Sequence, residues 1–67
     1  MKVDYKKLWI MLIEKGLTKA QLRELCHISP ATLTKLNKNE VVSLEVIIRI
    51  CLALNCEISD IVEIVRT

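Results

Sequence analysis

Between Ser29 and Asn39 the chain reads "SPATLTKLNKN", with hydroxyls at Ser29, Thr32 and Thr34, amides at Asn37 and Asn39, and ammonium groups at Lys35 and Lys38. No carboxylate interrupts the stretch. A surface approaching phosphates needs that, because each unpaired carboxylate would repel them. A lysine can donate to guanine O6 and N7, and the methyls of Ala31 and Thr32 can meet a thymine methyl. The other reactive side chains offer less. His27, Cys26, Cys51 and Cys56 are the candidate zinc ligands, but their spacing matches no standard pattern. Three thiols, an odd count with no secretory signal, read as reduced and buried in a cytoplasmic protein. A single histidine, no paired carboxylates at a plausible cleft and no Gly-rich loop leave nothing for an enzyme to work with. No catalytic residue, metal or cofactor is expected.

The charge distribution agrees with an anionic partner. Residues 1–38 hold eight Lys/Arg against three Asp/Glu, a charge of +5, whereas residues 39–67 hold two against five, or −3. On charge alone a solvated basic face with no partner reads equally well. The 67 residues are 52% hydrophobic, mostly Leu, Ile and Val, with one Gly and one Pro, so residues 1–67 are expected to form one domain with an aliphatic core. No apolar run approaches a membrane span.

The elements that must carry these side chains are helices. Tyr5, Leu8, Trp9, Leu12 and Ile13 fall at i, i+3, i+4, i+7 and i+8, so the first helix runs from about Asp4 to Lys15 and ends at Gly16. On that stripe Trp9 reads as a core anchor and Tyr5 as packing. Thr18 and Gln21 make a capping box, Leu17 and Leu22 a hydrophobic staple, and Leu22, Leu25 and Cys26 the buried face of a second helix. A third begins at once: Ser29 is the N-cap, Pro30 takes the first helical position, and Ile28 and Leu33 repeat the staple. Leu33 and Leu36 then face inward while Ala31, Thr32, Thr34, Lys35 and Lys38 stay outside. Two well-capped helices joined by about three residues form a helix-turn-helix. Residues 37–40 read as a loop. Ser43 caps a fourth helix to about Asn55, apolar nearly all round, and Ser59 starts a short fifth from Asp60 to about Val65. No strand is expected.

The stretch "LTKAQLRELCHISPATLTKLNKN" resembles the helix-turn-helix of the Cro and phage-repressor (XRE-like) family at Leu17, Thr18, Leu22, Ile28, Ser29, Thr32, Leu33 and Leu36. The likeness continues through Ser43, "LEVIIRICLALNC" and "ISDIVEIV", so the chain looks like a short, stand-alone member. That resemblance implies an all-α, five-helix lambda-repressor-like domain from a bacterium or phage that binds duplex DNA and regulates transcription, most simply as a repressor. It implies base contacts from Pro30, Ala31, Thr32, Thr34 and Lys35, and phosphate contacts from Lys19, Ser29, Asn37, Lys38 and Asn39. It also implies a homodimer, here expected through the fourth and fifth helices. The alternative is a protein-interaction or antitoxin-type module on the same fold. Two positions depart from the family pattern. His27 stands where Gly is common, because the turn often needs positive φ, and histidine tolerates that at some cost. Arg23 stands where a small residue is common, either laying its stem over the surface or reaching a phosphate.

Overall fold

The computed structural model describes residues 2–66. In chain order these form a strand β1 (Lys2–Asp4), helices α1 (Lys6–Lys15), α2 (Lys19–Cys26), α3 (Pro30–Asn37) and α4 (Leu44–Leu54), one 3-10 turn (Ile58–Asp60), and a strand β2 (Glu63–Val65). The helices close around Tyr5, Leu8, Leu12, Leu22, Cys26, Ile28, Leu36, Ile47, Ile50, Cys51 and Leu54, and Ile61 seals the core from the C-terminal side.

Local chemistry sets most helix ends. Thr18 Oγ1 accepts from the Gln21 amide at 3.1 Å while Gln21 Oε1 accepts from the Thr18 amide at 2.8 Å, the reciprocal capping box. Ser29 and Ser43 cap α3 and α4 through the amides of Thr32 and Val46. Gly16, His27 and Asn55 end α1, α2 and α4 in the left-handed conformation. Beyond Asn55 the Cys56 amide donates to the Cys51 carbonyl at 3.0 Å, which brings the two cysteines together across the helix end. Burial, with Cys56 alongside, pushes the Cys51 thiol up to about 11.

Four helices, not five, are found among the described residues, and strands are present where none was expected. The segment expected as a fifth helix makes a single 3-10 turn, with the Glu57 amide held by Asp60 Oδ2 at 2.9 Å. It then extends and pairs antiparallel with β1, in the register Lys2↔Val65, Val3↔Ile64, Asp4↔Glu63. A few residues rich in Val and Ile cannot offset the cost of helix nucleation, whereas a ready partner strand takes up their backbone groups. The same pairing moves the start of α1 from Asp4 to Lys6. Asp4, now in the strand, turns its Oδ1 to accept from the Lys6 amide at 2.7 Å.

Three apolar side chains also sit differently from expectation. Ile13 is 78% exposed and Leu25 is 53% exposed, because the buried lines narrow to Tyr5, Leu8 and Leu12 on α1's side and to Leu22 and Cys26 on α2. Leu33 is half-buried, leaving Leu36 as the fully covered residue of α3. Across the C-terminal segment, Lys7 Nζ donates to the Ser59 carbonyl at 3.4 Å and lies 4.0 Å from Glu63, tying α1 to the tail.

Candidate nucleic-acid interface

The turn between α2 and α3 is fixed by its backbone. His27 adopts φ 55° and ψ 41°, its amide returns to the Glu24 carbonyl at 3.4 Å, and the Ile28 amide returns to Arg23 at 3.2 Å. Ile28 then drops into the core, and the His27 carbonyl accepts from Arg49 Nη1 at 3.3 Å. Arg49 is itself held by Glu45 at 2.6 Å, so α4 braces the turn from behind. Ser29 Oγ accepts from the Thr32 amide at 3.1 Å and lies 3.0 Å from the Thr32 hydroxyl. The direction in which α3 leaves the turn is therefore set by an N-cap, a proline and a buried isoleucine.

That geometry leaves one side of α3 in solvent. Pro30, Ala31, Thr34 and Lys35 are exposed, as is Lys38 just past the helix end. These positions, spaced i, i+1, i+4, i+5 and i+8, make one face of a helix. Thr32 lies at its edge, half-buried. The Thr34 hydroxyl donates to the Pro30 carbonyl at 3.0 Å, which leaves its oxygen lone pairs outward as acceptors.

The expected phosphate contacts flank this face from several elements. Lys19, in the first turn of α2, crosses to the end of α3, where its Nζ donates to Asn37 Oδ1 at 2.6 Å. The same ammonium lies 4.2 Å from the centroid of the Trp9 ring. Trp9 is half-buried against the core, so it is an anchor with one face in use rather than the wholly internal residue its stripe suggests. After α3, Asn39 takes φ 56° and its Oδ1 accepts from the Tyr5 amide at 3.1 Å, leaving its NH2 group as the remaining donor. The Tyr5 hydroxyl donates to the Glu40 carbonyl at 2.7 Å, and burial raises its pKa above the usual phenol range. The loop after α3 is thus bolted to the start of α1 at two successive residues, Asn39 and Glu40. Ser29, Asn37, Lys38 and Asn39 are all exposed, and Arg23 is half-buried on α2. Tyr5, Trp9 and Arg49 are the members of this arrangement that sequence reasoning missed; each acts across elements, where no spacing rule reaches.

Beside the turn, between α2 and α4, lies an open groove of about 590 Å³ lined by Leu25, Cys26, His27, Arg49, Leu52 and Ala53. The Cys26 thiol at its base has its pKa raised by burial. No group of three His, Cys, Asp or Glu side chains converges as a metal site would among the described residues. No helix among them is long and apolar enough to cross a membrane.

A rigid helix pair presenting a carboxylate-free polar face is the architecture of a helix-turn-helix DNA-binding domain. The chain belongs to the Cro/C1-type family of such domains, whose sequence profile matches residues 7–66. A crystal structure of the transcriptional regulator VanUg is similar to it, with a TM-score of 0.91 and 48% identity over 92% of this chain and 83% of that one. No curated protein sequence matches significantly.

Proposed function

We propose that the protein is a bacterial or phage transcriptional regulator, acting in the cytoplasm as a repressor by occupying a specific duplex-DNA site. In this reading α3 enters the major groove. Lys35 donates to a guanine edge, Ala31 and Thr32 offer methyl contacts, Thr34 accepts from a base amine, and Pro30 contributes shape and apolar contact at the helix start. Lys19, Ser29, Asn37, Lys38 and Asn39 hold phosphates on either side. The observation that carries the proposal is the exposed face of α3, free of carboxylates from Ser29 to Asn39 and fixed at both ends by caps and cross-braces. The VanUg likeness supports the regulatory role.

One recognition helix reads about four or five base pairs, too few to find a genomic site, so the working unit is a homodimer with two helices in successive grooves. Leu44, Ile48 and Leu52 repeat every four residues along α4 and are 62%, 46% and 77% exposed. With Ile58 and Ile64 from the C-terminal segment, also exposed, they form the apolar surface for the twofold contact. Selection of bound duplexes from a random pool tests both parts. An enriched palindrome, with Ile48→Lys and Leu52→Lys folding normally but losing steep palindromic binding, is the expected result. A pool that never enriches sinks the DNA reading, and an enriched single half-site bound one to one sinks the dimer.

The apolar groove beside the turn favours one other reading, a protein-interaction or antitoxin-type module that kept the fold. Salt separates the two, since a DNA reader releases counterions and its affinity falls steeply as salt rises.

A further inference from the structure

Lys19 has no carboxylate within ion-pair distance among the described residues, where the recorded ion pairs are Lys7 with Glu63 and Arg49 with Glu45. Its charge is nonetheless held in place, by the Trp9 ring at 4.2 Å and by Asn37 Oδ1 at 2.6 Å. An ammonium has three N–H donors. Asn37 takes one and the ring face attracts another, so one remains for an outside acceptor. A lysine normally spreads over many rotamers, and a contact made by a free one must first order it. Here that ordering is done in advance, at the point where α1, α2 and the end of α3 meet.

We infer that Trp9 is a positioning residue for DNA affinity, acting through Lys19: the indole face and Asn37 hold the ammonium at the end of the recognition helix, ready for a backbone phosphate. This rests on the DNA-binding reading above. It makes Trp9 more than a packing residue, although it also packs against the core. Because a phosphate carries no sequence information, the effect falls on affinity for every duplex alike and leaves base preference untouched. Trp9 is also the single tryptophan of the chain, so its emission reports directly on the charge above it.

The test is a double-mutant cycle on the full chain, with binding to a specific and a random duplex read as a function of salt and each variant's melting temperature measured alongside. Lys19→Met should weaken both duplexes roughly tenfold and reduce the salt slope by about one. Trp9→Leu should lose about two- to fivefold on both. Trp9→Phe, which keeps a ring face, should recover most of that loss. The Trp9→Leu, Lys19→Met double variant should bind no worse than Lys19→Met alone. If Trp9→Leu does not fold, Trp9→Met, whose flexible side chain fills gaps, takes its place in the cycle. Losses that simply multiply would overturn the inference, since Trp9 would then act only through the fold. Lys19→Met binding as wild type would overturn it too, while leaving the DNA reading intact. Failure of the wild type to bind any duplex would remove both.

Discussion

Lys35 and Lys38 lie three residues apart at the exposed end of α3, yet the proposed interface gives them different work. Lys35 lies on the exposed face of the helix, the face that in this proposal meets base edges, whereas Lys38 sits at the C-cap, where the chain turns back. Lys35→Ala should therefore cost roughly 1–3 kcal/mol at the selected site and relax one base position. Lys38→Ala should weaken all sequences equally and lower the salt slope by about one. Titrations on matched and mismatched duplexes read both effects, and two wild-type curves would remove α3 from the groove. His27 poses a backbone question instead. It holds φ 55° without the freedom of glycine; its amide returns to Glu24 and its carbonyl accepts from Arg49, so its backbone rather than its imidazole makes the hydrogen bonds found among the described residues. His27→Gly should relieve that strain and raise stability by about 1 kcal/mol, a rise of several degrees in Tm for a domain this small. A lower Tm would mean that the imidazole itself holds the turn.

The tail shows how one element can be seated by a single side chain. Ile61 is fully buried, whereas the strand that follows pairs only three residues, and an isolated two-stranded ribbon is marginal in water. Ile61→Ala should cost about 2–5 kcal/mol, the range for a large-to-small core change. Truncation after Val62 should cost about 1–2 kcal/mol, the loss of a few net hydrogen bonds, and leave the helix pair intact. Urea midpoints of the two variants give the comparison, and equal losses would assign the strand a larger share than its pairing suggests. The helix-turn-helix was legible because its signals are local: Thr18 with Gln21, Ser29 before Pro30, and Ile28 five residues before Leu33 all act within one or two turns. The tail was not, because "ISDIVEIV" has apolar spacing short enough to suit either period, and the deciding partner, Lys2–Asp4, lies at the other end of the chain. Likewise the exposed face of α3 could be read from the sequence, while the supports that hold its flanks, Tyr5 on Asn39 and Trp9 on Lys19, depend on the finished packing.

For the molecule as a whole, the thiols tie stability to alkaline pH. Cys51 is 9% exposed, and its ionisation is pushed from an ordinary 9.0 to about 11, first by burial and then by Cys56. Below pH 9 the thiol is protonated in both folded and unfolded chains and contributes no slope. Between about 9 and 11 the unfolded chain releases its proton while the folded one keeps it, so stability falls with rising pH, by on the order of 2 kcal/mol. Chemical denaturation at pH 8 and pH 10.5 measures this, and Cys51→Val should reduce the difference, the remainder coming from Cys26 and Tyr5, whose ionisation burial also delays; an unchanged slope in that variant would place the titrating group elsewhere. A different consequence follows from the strand register. Lys2 pairs with Val65, so residues 63 positions apart along the chain become neighbours, with Cα atoms about 5 Å apart. The first and last described strands therefore lie side by side. A peptide ligation across that gap, with a short glycine bridge, would add no contact to the native state. It would remove conformations open to the unfolded chain, which for a loop of this length is about 4 kcal/mol in the chain-entropy picture. The circular form should therefore melt well above the linear one while leaving the exposed face of α3 unchanged.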